Sequence, residues 1–344
     1  MKFIPGLNGI RAIAVLMVIV SHRFPGNLLF NLPLGSFGVD IFFVLSGFLI
    51  SRILFRQLKE FNSAGIYRSR LILNFILRRM LRIFPIYYLT LLFLYLTKGL
   101  FGNHYEENIL WYVFYGANFL NYYDNKWYGA LAHLWSLSVE EQFYLIWPFL
   151  LFYFLKTKIL FVLIFFIIFG TLYPFFITGN SDILTLACVN AFGIGALLAY
   201  FEILNPDYEK IFLTILNFLI IPVLLIIIIN YTVFSIPYFS RRLAISIFAV
   251  TIIAYCRYYP SNKIIRYILV NKFLSFIGMI SYGIYLYHNL IPKYWRYGFS
   301  KIGIDISPDF SYLNFFSQTS AIILISYISW ILIEKPILKL KKYF

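Results

Sequence analysis

The stretch IFLTILNFLIIPVLLIIII, residues 211–229, runs for 19 residues without a charged side chain. A helix of about 20 apolar residues is long enough to cross the hydrocarbon core of a bilayer. Similar stretches recur along the 344-residue chain, which is 61% hydrophobic and 12% charged, whereas soluble domains average about 25% charged residues. With a mean hydropathy of +0.80, the composition predicts one integral-membrane domain over residues 1–344.

The apolar pattern predicts an all-α fold, a polytopic transmembrane bundle of about ten helices. The predicted spans are residues 9–26, 36–55, 82–99, 134–155, 159–177, 184–201, 211–229, 241–257, 270–291 and 314–333. A shorter and more polar stretch, residues 109–123, is predicted to be interfacial or re-entrant. Most Lys and Arg residues fall on one side of this arrangement. The positive-inside rule then predicts two cytoplasmic termini and a multi-pass protein of the inner, cytoplasmic membrane.

The net charge of +15 does not indicate a nucleic-acid partner. Nucleic-acid binders gather basic and aromatic residues on one polar surface, whereas here the bases lie between apolar spans that contain the aromatic residues. Cys188 and Cys256 fall in apolar segments and lack the spacing of a disulfide or metal site, so no metal is predicted. The expected surroundings are membrane lipid, and the oligomeric state is left open.

Ionisable residues within a span are costly unless they face a cavity or a partner, so each is a candidate functional residue. The first predicted helix contains Arg11 and His22. Their separation of eleven residues places them within about 20° of one face and roughly 16 Å apart along the axis. Anchoring at a helix end would explain Arg11 equally well. It explains His22 less well, because Arg23 follows immediately and would already anchor the helix at the interface.

The fourth predicted helix opens with HLWSLSVEEQFYLIWP, residues 133–148. His133, Ser136 and Glu140 are spaced so that they share one helix face. Glu140 and Glu141 are adjacent carboxylates within the span, and both cannot face lipid. A structural role for the pair, in contact with a buried arginine, is the alternative to a role in catalysis.

The ninth predicted helix contains SYGIYLYH, residues 281–288, in which Tyr285 and His288 share a face. His288 alone would be typical of an interfacial anchor. His22, His133 and His288, however, are predicted at one membrane depth on the same side. Their coincidence predicts a shared site better than three unrelated anchors.

Arginines concentrate around the second and third predicted helices, as Arg52, Arg78, Arg79 and Arg82. Membrane orientation explains a basic loop but does not require arginine at every position. The planar guanidinium suits bidentate phosphate binding, so these four residues are the candidates for binding a phosphorylated ligand.

The second predicted helix carries Asp40, Ser46 and Gly47. The small residues allow close helix packing, or they leave room for a thin ligand. A histidine-rich outer site joined to an inner arginine cluster fits a ligand with a phosphate-rich head and a slender arm, which is the shape of coenzyme A. Substrate binding is assigned to Asp40, Ser136 and Tyr285.

Six blocks of this chain resemble, in order, the integral-membrane acyltransferase type 3 family over about residues 5 to 336. They are LNGIRAIAVLMVIVSH, GVDIFFVLSGFLISR, RRMLRIFPIYYL, HLWSLSVEEQFYLIWP, SYGIYLYH and the final EKP. The resemblance implies transfer of an acyl group, usually acetyl, to bacterial surface polysaccharide, O-antigen or another glycan. It also implies a stand-alone member without a fused periplasmic SGNH-type domain, which transfers the group directly or through a separate periplasmic delivery protein.

The resemblance carries over to individual residues. Positions linked to activity in the family fall on Arg11 and His22, and its acidic pair falls on Glu140 and Glu141. The arginine pair thought to meet the CoA phosphates falls on Arg79 and Arg82, and the arginine after Gly-Phe-Leu falls on Arg52.

The resulting hypothesis is acyl transfer from acetyl-CoA to a hydroxyl of a glycan or lipid-linked saccharide. His22 is the general base, a role suited to its near-neutral pKa. The other catalytic candidates are Arg11, Glu140, Glu141, His133 and His288. The rival hypothesis is a transporter or flippase for an anionic or lipid-linked saccharide, which would also need inner cations and carboxylates within the span. Transporters commonly contain internal repeats, and none is detected in the sequence.

Overall fold

The computed structural model describes residues 4–24, 32–64, 67–97, 104–154, 158–233, 240–304 and 311–344. All regular secondary structure within these ranges is helical. The α-helices are α1 Leu7–Arg23, α2 Leu34–Ala64, α3 Arg68–Leu96, α4 His104–Glu107, α5 Ile109–Val113, α6 Ala117–Tyr123, α7 Leu134–Phe149, α8 Ile159–Phe176, α9 Thr185–Ile203, α10 Glu209–Thr232, α11 Arg241–Tyr258, α12 Lys263–Leu269, α13 Lys272–Met279, α14 Ser281–Tyr287, α15 Ile291–Lys301, α16 Tyr312–Ser329 and α17 Lys335–Leu338.

Several of these helices are long and apolar enough to cross a membrane. Within the described ranges six stretches meet that condition: Leu34–Glu60, Arg68–Leu96, Ile159–Phe176, Thr185–Ile203, Pro206–Tyr231 and Tyr312–Tyr343. A seventh is added if α11 and α12, bent by 112° to each other, form one broken span. A multi-pass helical membrane fold is thereby confirmed. The predicted total of ten spans and the cytoplasmic termini stay predictions.

The helices divide into a buried centre and an exposed periphery. Of the most apolar 18-residue stretches of α2 and α9, 78% and 72% are buried. For the corresponding stretches of α8 and α10 the buried share is 17% and 22%. The peripheral helices display large apolar side chains such as Phe161 and Phe218. Such side chains are expected where lipid, rather than water, is the solvent.

The helices α2 and α9 cross with their backbones in contact. A Cβ atom at Gly47 would lie 2.2 Å from the carbonyl oxygen of Phe192, and one at Gly195 would lie 2.1 Å from that of Val44. Glycine at both positions removes the side chains that would hold the backbones apart. Of the two interpretations of Gly47, the structure supports close packing, while the neighbouring Ser46 faces a cavity.

The second predicted span is shorter than α2, and the third begins well after the start of α3. Arg52 does not end its span, because α2 continues to residue 64. Arg79 and Arg82 lie in the middle of α3 rather than at its start. The cause is that Leu71 and Phe75, which precede these arginines, are buried and continue the apolar face toward the N-terminus.

The ninth predicted span, residues 270–291, is not one continuous helix. It is interrupted at Ile280 between α13 and α14, where the Ser281 hydroxyl donates a hydrogen bond to the Gly278 carbonyl at 3.0 Å. The predicted interfacial stretch forms the two short helices α5 and α6. The predicted span ends at residues 26, 99 and 155 lie outside the described residues.

Candidate active site

Three helix ends bring three histidines together. His22 lies in the last turn of α1, His133 directly precedes α7, and His288 follows α14. The ring centroids of His22 and His288 are 5.1 Å apart, and those of His133 and His288 are 4.7 Å apart. The shared location that the sequence predicts for these residues is therefore present in the fold.

The three rings differ in what their nitrogens bind. His22 Nδ1 lies 2.8 Å from the Val18 carbonyl oxygen. Because a carbonyl only accepts, Nδ1 carries the hydrogen in the neutral ring and the lone pair is on Nε2. His133 contacts protein at both nitrogens, with Nε2 3.1 Å from the Leu286 carbonyl and Nδ1 3.4 Å from the Asn289 amide. Among the described residues His288 Nε2 has no hydrogen-bond partner, although it is buried.

Arg23 holds the end of α1 against two other helices. Its Nε donates to the His288 carbonyl at 3.0 Å, and its Nη1 donates to Gln318 Oε1 at 2.5 Å. The sequence suggests only an interface anchor at this position. In the structure the same side chain fixes the distance between the segments that carry His22 and His288.

His22 and His133 line a cavity of about 640 Å³, named here the histidine cavity. Its wall also includes Trp127, Asp40 and Arg242. The Asp40 carboxylate accepts a hydrogen bond from Arg242 Nε at 2.7 Å, and Arg242 also donates to backbone carbonyls at residues 187 and 182. Asp40 therefore lines this cavity, and its charge is already paired within the wall.

A second, narrower cavity of about 90 Å³ is named here the arginine cavity. Three guanidinium groups line it, those of Arg11, Arg79 and Arg82, together with the Glu140 carboxylate. Glu140 accepts hydrogen bonds from Ser46 at 3.0 Å and from Tyr144 at 2.9 Å, and it attracts Arg11. The lining thus has two positive charges in excess, which favours an anionic ligand.

Further charges surround the arginine cavity without lining it. Glu141 and Glu334 attract its arginines, and Lys341 adds a cation beside them. Arg79 also packs over the rings of Phe75 and Tyr144, at 5.6 and 5.8 Å from the ring centroids. Such packing holds the guanidinium plane in a defined direction.

The two cavities share Val39 and Tyr285 in their walls. The Tyr285 hydroxyl is 2.5 Å from the Ser136 hydroxyl and donates to the His133 carbonyl at 3.2 Å. Tyr285 and Ser136, the two predicted substrate-binding residues of α14 and α7, thus lie at the junction between the arginines and the histidines. A slender ligand bound among the arginines would present its far end at this junction.

Two predicted phosphate-binding residues lie elsewhere. Arg52 is buried and donates from Nε and Nη2 to Glu202 at 2.7 to 2.9 Å, and Arg257 binds the same carboxylate at 2.8 Å. Arg78 is exposed and does not line the arginine cavity. Sequence reasoning missed Glu202, since 150 positions separate it from Arg52.

Other residues of the site were also missed. Tyr144 is four positions after Glu140, so helical spacing could have identified it as a partner. Arg242, 202 positions after Asp40, and Glu334, in the quoted EKP block, carry no such local signal. Within the ranges that the structure describes, no group of three or more His, Cys, Asp or Glu side chains could hold a metal ion.

Comparison with known proteins identifies the family of the chain. Residues 4–334 match the family model of the acyltransferase domain, so the chain belongs to that family. A Staphylococcus aureus (strain COL) protein named "Putative O-acetyltransferase" is 31% identical over 318 residues, which cover 84% of this chain and 50% of that protein. The Listeria monocytogenes peptidoglycan O-acetyltransferase OatA is 34% identical over 169 residues, 45% of this chain and 25% of OatA.

The chain spans about half the length of the Staphylococcus relative that it matches over most of its own residues. No solved structure matches it. Family membership favours an enzyme over the rival hypothesis of a transporter or flippase.

Proposed function

We propose that this protein transfers an acetyl group from acetyl-CoA to a hydroxyl of a bacterial cell-surface glycan. The observation that carries the proposal is the junction at Tyr285, which joins a cationic cavity to a cavity lined by histidine. The names of the relatives make peptidoglycan the first acceptor to test. O-antigen and exopolysaccharide belong to the same chemical class of acceptor.

The arginine cavity suits the acyl donor. Arg79 and Arg82 can bind phosphate oxygens in pairs, and Arg11 of α1 adds a third positive charge to the lining. At about 90 Å³ this cavity is smaller than a typical ligand pocket of about 300–1,000 Å³, so the slender arm that ends in the thioester must widen it on entry. Arg52 and Arg78 are left out of this binding site, because one is paired with Glu202 and the other lies outside the cavity.

The reaction needs a base on the acceptor side. His22 Nε2 takes the hydroxyl proton while the hydroxyl oxygen bonds to the thioester carbonyl carbon. The carbon–sulfur bond breaks, and the CoA thiolate leaves and receives the proton. General-base assistance of this kind contributes about 10²- to 10⁴-fold in rate.

The neighbouring groups hold these reactants. His133 and Ser136 fix the Tyr285 hydroxyl at the junction, and His288 packs between the other two histidine rings. Glu140 keeps Arg11 and Tyr144 in place through charge and a hydrogen bond. Glu141 does not line the cavity, but its negative charge attracts the Arg79 guanidinium and helps to orient it.

Substitution of His22 tests the proposal directly. The protein is purified into lipid nanodiscs with acetyl-CoA and peptidoglycan glycan strands, and the acetyl mass on the strands is followed by mass spectrometry. We expect His22→Gln to lower kcat by at least about 100-fold with KM for acetyl-CoA unchanged. His133→Gln, whose ring nitrogens are both engaged, should lose less.

Unmodified strands with the folded wild-type protein would contradict peptidoglycan as the acceptor. Full transfer by the His22 variant would show that another group is the base.

A further inference from the structure

A third cavity, of about 720 Å³, lies beside the histidine cavity. It is named here the tyrosine cavity, because the rings of Tyr105, Tyr112 and Tyr128 line it. It shares Trp127 and Gly129 with the histidine cavity. The two cavities therefore adjoin at Trp127 and Gly129.

The side chains around this boundary have the chemistry that carbohydrates bind. Trp127 is 53% exposed and lines both cavities, so it is accessible to a ligand in either of them. A sugar ring packs its C–H face on such an aromatic surface while its hydroxyls bond to polar groups beside it. Asp124 and Lys126 supply an acceptor and a donor in the wall of the tyrosine cavity.

The loop that carries Trp127 is held in place by its own hydrogen bonds. The Tyr128 hydroxyl donates to the Asp124 carboxylate, and this bond raises the pKa of Tyr128 to about 12. The Asn180 amide donates to Asn125 Oδ1 at 2.9 Å, and the Gly129 amide donates to the Trp127 carbonyl at 2.9 Å. A fixed loop orders little on binding, which favours affinity.

We infer that the histidine and tyrosine cavities form one groove for successive sugars of a glycan chain, with Trp127 as the platform between them. The inference rests on the proposed function and extends it from a sugar hydroxyl to a polymeric acceptor. Pockets of about 300–1,000 Å³ hold ligands larger than one sugar ring, and each cavity falls within that range. The sugar to be modified lies near His22, and its neighbours in the chain lie along the tyrosine cavity.

Binding without the acyl donor separates this inference from the reaction itself. The full chain in nanodiscs is titrated with peptidoglycan glycan strands, and separately with the disaccharide that a muramidase releases from them. We expect the strand to bind at least about tenfold more tightly than the disaccharide. Trp127→Ala should remove that difference, because aromatic anchors contribute most at the centre of a binding surface. Trp127→Phe, which keeps a flat face, should restore part of it.

Tyr123→Ala is the matched control. Tyr123 is 71% exposed near the same loop but lines neither cavity, so its removal should leave strand binding unchanged. If Trp127 served only as an aromatic anchor at the membrane interface, strand and disaccharide would keep their wild-type ratio in Trp127→Ala.

A strand that binds no better than the disaccharide, whether both bind or neither does, would overturn the groove. Tighter binding of the strand than of the disaccharide, without any acetylation, would support the groove and contradict the proposed reaction.

Discussion

Arg78 and Arg79 are neighbours in sequence, yet helix geometry points them to different surroundings. Successive residues of a helix are turned by about 100°, so Arg79 reaches the arginine cavity while Arg78 is exposed outside it. The pair therefore offers a test of donor binding in which charge, position along α3 and side-chain type are matched.

We expect Arg79→Gln to raise the Kd for CoA at least about tenfold, because a charge-assisted contact to phosphate is lost. Arg78→Gln should change it by less than about twofold. Calorimetric titration of each variant with CoA gives the comparison, and added salt should weaken the wild-type affinity. Equal losses in the two variants would place the CoA phosphates outside the arginine cavity.

The crossing of α2 and α9 fixes the element that carries Ser46 and Asp40. At this crossing no side chain separates the backbones, since Cβ atoms at Gly47 and Gly195 would overlap carbonyl oxygens. A change at either glycine therefore moves a whole helix.

Gly47→Ala should lower the free energy of unfolding by about 1–3 kcal/mol through overpacking. Gly298→Ala is its control, because a Cβ there meets nothing within 4 Å. Thermal unfolding of both variants in the same detergent measures the difference. Equal stability of Gly47→Ala and wild type would mean that the two helices can separate without cost.

A buried ion pair between Arg52 of α2 and Glu202 of α9 also links these two helices. Arg52 and Glu202 expose 2% and 3% of their side chains, and removing one partner of such a pair leaves a buried charge that costs about 3–5 kcal/mol. We expect Glu202→Met to destabilise by that amount. Arg52→Met combined with Glu202→Met should recover most of the loss, because two apolar side chains replace the pair.

The double variant also decides the role of Arg52. Retained acetyl transfer would assign this arginine to structure, in line with its contacts. A stable double variant with a raised KM for acetyl-CoA would show that Arg52 takes part in donor binding, as the resemblance implies.

Helices were easier to predict than their limits. The uncharged run at 211–229 falls within α10, because lipid requires such a segment to form internal hydrogen bonds. The break at Ile280 depends on how α13 and α14 pack, and hydropathy does not report packing. The start of α3 was missed because charged residues on one helix face masked the buried apolar residues on the other.

The same contrast holds for the site: local spacing in the sequence is informative, and contacts between distant helices are not predictable from it. Residue types and helical spacing predict a shared site for His22, His133 and His288, and the structure brings these rings together. The contact between Tyr285 and Ser136, both predicted to bind substrate, comes from the fold. Partners distant in sequence, such as Arg242 for Asp40, were not predictable, because they depend on contacts between helices far apart in the chain. The sequence does not indicate Trp127, since its loop lies between spans and only the fold places it in the wall of the cavity that His22 lines.

At the scale of the whole molecule, the predicted orientation puts Tyr67 in the cytoplasm and Tyr123 outside. Both side chains are exposed, and the two native cysteines, Cys188 and Cys256, are fully buried. A membrane-impermeant thiol reagent should therefore label Tyr123→Cys in intact cells, and Tyr67→Cys only after the membrane is opened. Labelling in the reverse pattern would show that the orientation is the opposite of the one predicted, with the donor and acceptor sides exchanged.

The junction at Tyr285 has an electrical consequence for the proposed reaction. The acceptor begins as an alcohol outside and ends as an ester, whereas the donor begins as a thioester inside and ends as a thiol. In every turnover one acetyl group leaves the cytoplasmic side and one hydrogen arrives there, and the charge on each side is the same before and after, because alcohol, ester, thioester and thiol are all uncharged. The contribution of about 2.3 kcal/mol per 100 mV that a membrane potential makes for each charge moved therefore cancels over the whole reaction. The energy of the thioester alone drives the modification, so its extent should not depend on the resting voltage of the cell.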